Sequence, residues 1–416
     1  MAKKNSSNGE KSEGLFAILQ KVDKNVEVLE ESAYSNISDW VSTGSYILNA
    51  CISGDMFKGI PAGRTTCLSG NSGTGKTYLA CSICREAQKK GYSVLYLDSE
   101  NAMDKDFAAR LGCDTTKFYI KQVNTISETS QFIINFCKAL EESGEKQKVV
   151  IVLDSLGNLT SDKERDDILT GSNKVDFTKA KDVKAMFRTC TIPVAKQQIP
   201  WIVVNHVYQN IGSYVGGTVQ ASGSGLLYNA SNIINLTAAK LEDKENDKNA
   251  AKQPGDAPKK NGILVSATPE KSRFSIPRKV KFQIPFFKKP SPYVGLEQYL
   301  NWDNAGIMQG KCLTENEWKN LKPGEQAECK EFEYNGEKMY AWPKIQMRAG
   351  VGIVCKHLGA QVTVQEFFTE KVFTDEFLHY INDNIIKPLF QLPDQNSFDD
   401  IKELEESLNL ENKMED

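Results

Sequence analysis

The stretch that most limits what this chain can fold into is a glycine-rich octapeptide at residues 70–77, which reads G-N-S-G-T-G-K-T. It satisfies the pattern G-x-x-x-x-G-K-[S/T], whose glycines allow several backbone N–H groups to converge on an anion. In such a loop Lys76 reaches the β- and γ-phosphates of a nucleotide and the Thr77 hydroxyl ligates Mg²⁺. The predicted phosphate-binding residues are Gly70, Asn71, Ser72, Gly73, Thr74, Gly75, Lys76, Thr77 and Tyr78.

The residues on either side of this octapeptide support that interpretation. Residues 65–69 form a short strand candidate, and residues 78–87 keep helical spacing until Gly91. A strand, a loop and a helix in this order are the setting that a phosphate loop requires. The alternative, a glycine-rich turn with an unrelated lysine, is disfavoured by this context.

Strands and helices alternate along the rest of the chain. Buried strands are predicted at residues 93–98, 149–154, 201–205 and 233–236, with helices between them. This alternation predicts an α/β fold with a mostly parallel sheet covered by helices. Ligands of such sheets bind at the carboxyl ends of the strands.

The 416 residues are long enough for one large domain with smaller additions. Residues 1–40 are predicted to hold a disordered tail to residue 13 and a short amphipathic helix over Leu15–Val22. The ATPase core is placed at 41–295, with a mobile charged loop at 238–262. A small, mainly helical region follows at 296–398. Residues 399–416, with eight acidic and two basic residues, form an acidic tail.

Composition excludes several classes of protein. Apolar runs are too short to cross a membrane, and the polar N-terminus lacks the apolar core of a signal peptide, so a cytoplasmic protein is expected. The ten cysteines lack disulfide-like spacing and are expected to be reduced core residues. Cys81 and Cys84 have no second pair for zinc. A net charge of −3 argues against a globally basic nucleic-acid binder, though not against a local basic surface.

Two acidic residues follow buried strands downstream of the loop. Asp154 ends a strand where a carboxylate can hold Mg²⁺ opposite Thr77, and an ordinary strand-end aspartate is the alternative. Glu100 follows the strand that ends at Asp98, so it should emerge at the same sheet edge as the loop. There it can orient and deprotonate the attacking water, although a helix-capping acid fits the sequence equally well.

Three further polar residues suggest a response to bound phosphate. His206 follows a strand and can hydrogen-bond a γ-phosphate, with a structural histidine as the alternative. The chain after it, residues 207–225, is rich in glycine and serine and is expected to be disordered until it meets a partner. Lys271 and Arg273 point the same way on an extended chain and can serve an acidic ligand, or form a solvated charge pair.

Together these motifs resemble the RecA family of ATP-dependent strand-exchange proteins, and within it the branch of the T-even bacteriophages. The resemblance covers roughly residues 38–300. It is carried by Thr43-Gly-Ser45 with Pro61, Gly63 and Arg64, by Leu97-Asp-Ser-Glu100 with Ala108-Ala-Arg-Leu-Gly112, by Val152-Leu-Asp-Ser-Leu-Gly-Asn-Leu159, by Val204-Asn-His-Val-Tyr208 and by Pro269-Glu-Lys-Ser-Arg273.

The resemblance implies a RecA-like fold and a role for each matched residue. Lys76, Glu100 and His206 become the catalytic group, with Glu100 as the base for water and His206 as the γ-phosphate sensor. Asp104 and Phe107 fall where the family contacts adenine, and Phe107 replaces a tyrosine. Lys271 and Arg273 match cations that reach into the ATP site of the next subunit. The helix near Leu15 is implied to dock on the adjacent subunit.

The resemblance also places two DNA-binding loops at about residues 158–173 and 207–225. The second loop has no lysine or arginine, so it cannot neutralise phosphates alone. Stacking of bases on Tyr208 and Tyr214 can contribute roughly 1–3 kcal/mol each. Cations must come from Lys163 and Arg165, or from the next helix. That helix offers Lys174, Lys179, Lys181, Lys184 and Arg188.

The function implied is that of a recombinase. With ATP and Mg²⁺ it would form helical filaments on single-stranded DNA, pair it with double-stranded DNA and hydrolyse ATP, in a host cytoplasm if phage-encoded. Mediator and single-strand-binding proteins are further partners that the resemblance implies. A hexameric helicase with the same ATPase core, and an ATP-gated assembly protein without a DNA partner, are the alternatives.

Overall fold

A nine-stranded, mostly parallel sheet lies at the centre of the protein. The structure is a computed structural model that describes residues 9–32, 35–144, 147–171, 178–209, 218–220, 225–242, 260–286, 289–343 and 351–393. The strands of the first 295 residues are β1 (Trp40–Val41), β2 (Ile60–Pro61), β3 (Thr65–Gly70), β4 (Ser93–Asp98), β5 (Phe118–Gln122), β6 (Val149–Asp154), β7 (Trp201–Gln209), β8 (Thr218–Gln220), β9 (Asn232–Glu242), β10 (Lys260–Lys271) and β11 (Val280–Pro285). The helices are α1 (Gly9–Val22), α2 (Tyr46–Ser53), α3 (Lys76–Lys89), α4 (Lys105–Arg110), α5 (Ile126–Ser143), α6 (Asp162–Thr170), α7 (Thr178–Lys196) and α8 (Gly225–Asn229).

The strand order of the main sheet is β11-β10-β9-β3-β7-β6-β4-β5, and β8 pairs with the end of β7. Strands β9, β3, β7, β6, β4 and β5 run parallel, while β10 is antiparallel to both β9 and β11. The apolar runs predicted as buried strands form the middle of this sheet. The predicted α/β fold with a mostly parallel sheet is confirmed.

Each face of the sheet carries its own hydrophobic core. One core packs α2 and α3 against the sheet, with residues such as Leu48 and Ile83 fully buried. The other core packs α5 and α7 against the opposite face around Phe187 and Trp201, whose ring centroids are 5.1 Å apart. Because strands buried on both faces alternate between two apolar environments, β6 reads as a continuous apolar run.

Helix α1 leaves its apolar side in solvent. It begins at Gly9, so residues 9–13, which were predicted to belong to a disordered tail, are helical. Leu15, Ile18 and Val22 are 57%, 59% and 83% exposed. Within the described residues this helix therefore covers little of its apolar surface.

The C-terminal region contains a second sheet. Its strands are β12 (Ile307–Thr314), β13 (Lys330–Tyr334), β14 (Glu337–Pro343), β15 (Gly352–Cys355) and β16 (Ala360–Val362). They are antiparallel, in the order β13-β14-β12-β15-β16. The helices are α9 (Trp302–Ala305), α10 (Glu315–Lys319), α11 (Pro323–Glu328), α12 (Val364–Phe367), α13 (Asp375–Ile381) and α14 (Lys387–Phe390).

The prediction of a mainly helical C-terminal region did not include this sheet. The missed signal is the dipeptide Asn335-Gly336, which joins β13 to β14 with φ of +50° and +81°. An Asn-Gly pair favours a two-residue hairpin turn, because both residues tolerate positive φ. The region packs on the α2 face of the core, where the Asn382 side chain accepts a hydrogen bond from the Met56 N–H at 3.0 Å.

Part of the predicted mobile loop at 238–262 is β-strand. Residues 238–242 belong to β9 and residues 260–262 to β10, which pair with each other, and residues 243–259 lie outside the described part of the chain. The predicted acidic tail also lies outside it. In the described residues, no helix is both long enough and apolar enough to cross a membrane.

Candidate nucleotide-binding site

The phosphate loop leaves β3 at Gly70 and enters α3 at Lys76. Gly73 and Gly75 have φ of +76° and +87°, which L side chains rarely adopt, and a Cβ on Gly75 would lie 2.6 Å from the Ile284 side chain. The Lys76 ammonium is buried and donates to the carbonyls of Gly70 (2.9 Å) and Asn71 (2.8 Å). The backbone of the loop therefore already surrounds the positively charged ammonium of Lys76.

Burial affects the charge of Lys76. It lowers the pKa of the ammonium, while the charges of Asp154 and Glu100 act in the opposite direction. A buried cation flanked by two carboxylates is stabilised further by any anion that enters beside it. Lys76 thus supplies the positive charge that a polyphosphate needs.

Thr77 and Asp154 lie side by side, as predicted for a magnesium site. The Thr77 hydroxyl donates to Asp154 Oδ2 at 2.8 Å, and the Tyr96 hydroxyl donates to the same oxygen at 2.6 Å. Tyr96 was not predicted. It lies on β4, next to the strand that ends in Asp154, and the sequence alone does not show that these two strands are neighbours.

Asp154 is buried deeply enough to alter its titration. Burial raises the pKa of its carboxyl, and the hydrogen bonds from Tyr96 and Thr77 only partly oppose this effect. The charges of Glu100 and Asp98 raise this pKa further. A concentration of carboxylates in a low-dielectric site is stabilised by a divalent cation.

Glu100 is positioned by a tight turn after β4. The Asp98 carboxylate accepts hydrogen bonds from the N–H groups of Glu100 (2.9 Å) and Met103 (3.2 Å). Ser99 ties this turn to the end of β6, because its hydroxyl donates to the Ser155 carbonyl at 2.7 Å. Glu100 therefore emerges at the edge of the sheet that holds the phosphate loop, and it does not cap a helix.

Glu100 contacts both a serine and the predicted phosphate sensor. Its Oε1 accepts from the Ser155 hydroxyl at 2.6 Å and lies 2.9 Å from His206 Nε2. Burial opposes ionisation of Glu100, but these two hydrogen bonds and the charge of Lys76 outweigh it and hold the pKa below its ordinary value. The predicted base is therefore ionised at neutral pH and linked directly to the predicted sensor.

Beside the loop lies an open cavity of about 1150 Å³. Its inner wall contains Tyr78, Phe107 and Phe286 together with the glycines of the loop. Phe286 was missed by the sequence analysis. It follows β11, which runs parallel to β3 and so ends at the same edge. The cavity offers aromatic and aliphatic surface suited to a nucleotide base.

Asp104 has a local structural role in this structure. Its carboxylate accepts from the Phe107 N–H at 2.8 Å and caps the N-terminus of α4. The cap orients the first turn of α4, which carries Phe107 towards the cavity. Direct contact between Asp104 and a base stays a prediction.

Lys271 and Arg273 lie away from the loop. Lys271 pairs with Ile233 near the amino end of β9, whereas the loop residue Gly70 pairs with Leu236 further along that strand. The Lys271 ammonium donates to the carbonyls of Leu227 (2.6 Å) and Tyr228 (3.3 Å). The two cations therefore lie towards the amino-end edge of the sheet, away from the phosphate loop of the same chain.

The predicted DNA-binding residues are described only in part. Lys163 and Arg165 lie exposed on α6, and Arg165 pairs with Asp166 at 3.3 Å and Asp162 at 3.9 Å. Tyr208 lies on β7, which pairs with β8, so the ends of the second predicted loop form a hairpin. The Tyr208 side chain and all of Tyr214 lie outside the described structure.

The residues present fit a magnesium nucleotide. Lys76 and the loop N–H groups would hold its phosphates, and Thr77 with Asp154 would hold the cation through hard oxygen ligands. Phe107, Tyr78 and Phe286 would hold its base. The supporting observation is the buried Asp154 carboxylate, whose Oδ2 accepts hydrogen bonds from the hydroxyl groups of Thr77 and Tyr96.

A phosphate loop after β3, a strand-end aspartate on β6 and a glutamate after β4 define a P-loop nucleotide-binding protein with a RecA-like core. The model of the RecA N-terminal domain matches residues 15–255, more than half of the chain. The protein therefore belongs to the RecA family, as the sequence motifs indicated.

Curated relatives agree with this family. The chain is 28% identical over 217 residues to the "Recombination and repair protein" of Enterobacteria phage T4, covering 52% of this chain and 54% of that protein. It is 28% identical over 225 residues to "Protein RecA" of Dichelobacter nodosus, covering 53% and 61%. "Protein RecA" of Rhodopirellula baltica is 29% identical over 218 residues, covering 51% and 55%. The chain thus spans little more than half the length of these relatives.

Proposed function

We propose that the protein is an ATP-dependent DNA recombinase that forms filaments on single-stranded DNA and promotes homologous pairing and strand exchange. The family supports this proposal, as does the printed name of the phage relative. The observation that carries it is the separation, at opposite edges of the sheet, of two sets of charged residues that the proposal assigns to one ATP site. Lys76, Asp154 and Glu100 lie at one edge, and Lys271 with Arg273 at the other.

An ATP site divided in this way would require a second subunit. Cations at the amino-end edge of one subunit would meet the phosphates held at the carboxyl-end edge of the next. A contact between two different surfaces of identical subunits is heterologous, and it forms either a ring or an open helix. ATP would then stabilise the assembly because it contributes to every interface.

Helix α1 provides a second reason to expect assembly. Its exposed apolar side is a surface that a soluble protein usually covers. The outer strand β5 carries exposed Tyr119 (58%) and Ile120 (50%) at the free edge of the main sheet. Both surfaces would be covered if the N-terminal segment of one subunit packed against the next.

The Glu100–His206 pair couples turnover to DNA. In the structure His206 holds Glu100 by a hydrogen bond, and residue 207 begins the second predicted DNA loop. When the γ-phosphate site is filled, His206 would exchange its bond to Glu100 for one to the phosphate. Glu100 would then be free to orient and deprotonate water, and the strand that carries His206 would transmit the change to the loop.

DNA phosphates would be neutralised by α7 rather than by α6. Helix α6 carries Asp162, Glu164, Asp166 and Asp167 beside its two cations, so its net charge is negative. Helix α7 exposes Lys181, Lys184 and Arg188 at spacings of three and four residues, which places them on one side of the helix. Lys184 also lies 5.8 Å from the exposed Tyr228 ring, on the helix that follows the second loop.

Electron microscopy with single-stranded DNA and a non-hydrolysable ATP analogue tests the proposal. Open helical filaments that require both ligands are the expected result. Closed six-fold rings would instead indicate a hexameric helicase. Assemblies that form with the nucleotide alone, and whose ATPase rate ignores DNA, would indicate an ATP-gated assembly protein.

A further inference from the structure

A second, smaller cavity lies beside Arg273. Its volume is about 360 Å³, and its wall includes Trp40, Lys58, Arg273 and Lys387. Of these four residues, only Arg273 belongs to the predicted nucleotide site. The Lys58 ammonium lies 5.5 Å from the centroid of the Trp40 ring, and that ring meets Phe274 edge-on at 5.4 Å. Trp40 therefore connects Lys58 to the segment that carries Arg273.

Positive charges outnumber negative charges around this cavity. Asp55 is its one acidic lining residue within the described structure. Asp55 is already used, because it accepts from the Phe57 N–H at 2.9 Å and lies 3.7 Å from the Lys387 ammonium. Lys387 is satisfied in turn by Asp383 at 2.8 Å.

The remaining cations lack acidic partners. Neither Lys58 nor Arg273 forms an ion pair with any carboxylate of the described residues. Both side chains are exposed. The charge of Arg273 also reaches Arg64, whose pKa is lowered by burial first and by Arg273 second. Positive potential at this point therefore extends beyond a single side chain.

The cavity lies at the amino-end edge of the main sheet. Trp40 pairs with Pro61, and the chain then passes Arg64 and enters β3 at Thr65. This is the end of β3 opposite the phosphate loop. Lys58 therefore lies on the same edge as Lys271 and Arg273, in a place that the ATP of its own subunit does not reach.

We propose that Lys58 and Arg273, with Trp40 beneath Lys58, form a phosphate-binding subsite for the nucleoside triphosphate held by the adjacent subunit. The inference rests on the proposed function, since it requires ATP to lie between subunits. Lys58 adds a third cation to Lys271 and Arg273. The cation–π contact with the Trp40 ring holds the Lys58 ammonium beside the cavity, where it can pair with an incoming phosphate.

The test uses the full-length protein with single-stranded DNA and compares Lys58→Ala with Lys58→Arg. Lys138→Ala is the control, because Lys138 is an exposed lysine whose ion pair is confined to α5. Loss of one charge-assisted contact should lower DNA-stimulated ATP turnover roughly tenfold in Lys58→Ala. Lys58→Arg should retain most activity. Binding of a fluorescent ATP analogue to the free subunit should stay unchanged in every variant.

Mixing subunits tests whether Lys58 acts across the interface. Lys58→Ala has an intact phosphate loop, and Lys76→Ala has an intact amino-end edge. Some interfaces in an equal mixture of the two then contain every required residue, so the mixture should be more active than the sum of the separate variants. Absence of this gain, or a loss of ATP binding in free Lys58→Ala, would overturn the inference.

Arg273→Ala separates this inference from the proposed function. If Arg273→Ala loses stimulated turnover and Lys58→Ala keeps it, the Lys58 subsite is wrong while the shared ATP site stands. If both variants keep full stimulated turnover, the shared ATP site itself is wrong.

Discussion

The charged side chains at the two edges of the main sheet differ in their hydrogen-bond and ion-pair partners. At the carboxyl-end edge, Lys76 is bonded to loop carbonyls, and Glu100 is bonded to Ser155 and His206. At the amino-end edge, and among the described residues, Lys271 is bonded to the end of α8 alone and Arg273 has no carboxylate partner. The charged residues named at the carboxyl-end edge have partners within one subunit, so we call this the complete edge. Lys271 and Arg273 at the amino-end edge form no ion pair with a carboxylate of the described residues, so we call them the spare cations.

The difference shows how one chain can make assembly depend on its ligand. On the proposed function, the complete site would bind nucleotide before any neighbour arrives. The spare cations would repel one another until an anion came between them, so on this proposal they would favour a neighbour that carries ATP over one that does not. Variants at the two edges should therefore fail in different ways.

The largest effect is expected for Lys76→Ala at the complete edge. It removes the cation inside the loop and leaves the Gly70 and Asn71 carbonyls without their donor. We expect ATP binding, ATP-dependent DNA binding and turnover all to be lost, as measured by a fluorescent nucleotide, by fluorescence anisotropy of labelled DNA and by phosphate release. Lys138→Ala, an exposed change on α5, is the control and should behave as the native protein. Filaments that still form with ATP in Lys76→Ala would show that the loop is not the ATP site.

Glu100→Gln should separate binding from chemistry at the same edge. The amide keeps the shape of the side chain but cannot accept the proton of water, so turnover should fall by about 10²–10⁴-fold. DNA binding with ATP should persist in an anisotropy assay. Glu142→Gln, an exposed change on α5, should alter neither property.

The native protein provides a pH test of the same residue. The pKa of Glu100 lies below its ordinary value, so its carboxylate stays ionised near neutrality and loses activity only as pH falls through that lowered pKa. Turnover between about pH 6 and 8 should therefore show no acid limb from Glu100. Near-native hydrolysis by Glu100→Gln would mean that another group activates water.

Lys271→Ala combined with Arg273→Ala should impair only the properties that need two neighbouring subunits. Each free subunit should bind nucleotide normally, because neither cation reaches the loop of its own subunit. DNA-stimulated turnover should fall roughly 10- to 100-fold, because cations supplied by a neighbour stabilise charge on transferring phosphates. Lys279→Ala with Lys281→Ala removes two exposed cations nearby and should have little effect. Loss of nucleotide binding in the free double variant would place these cations in their own subunit's site.

The sequence predicted the features that depend on local pattern. A phosphate loop needs eight consecutive residues with a strand before it and a helix after it, so Gly70–Thr77 could be found without knowing the fold. Asp154 and Glu100 could be placed at one edge because each follows a parallel strand. The C-terminal sheet was missed although its Asn335-Gly336 turn is also a local signal.

The features that the sequence did not predict depend on which strands are neighbours in the sheet. The contact between Glu100 and His206 joins residues 106 positions apart, through strand pairs that no sequence period specifies. Phe286 enters the cavity only because β10 reverses direction and β11 reverses again. Lys58 was missed for a similar reason, since its position beside Arg273 depends on the small β1–β2 pair.

The smallest expected effect concerns stability at the complete edge. Burial raises the pKa of Asp154, so the ionised carboxylate is less favourable in the folded protein than in the unfolded chain. This cost is fully present above the raised pKa and is relieved as pH falls through it towards the ordinary value. In protein free of nucleotide and magnesium at neutral pH, Asp154→Asn should therefore increase the free energy of unfolding, by about 1 kcal/mol. Urea unfolding would measure the difference, and Glu142→Gln is again a neutral control. The same variant should lose the added stability that magnesium and ATP give the native protein, because the amide cannot offer the cation a charged ligand. Two results together would show that Asp154 serves the fold and not the metal. The variant would be less stable than the native protein without ligand, and magnesium with ATP would stabilise both proteins equally.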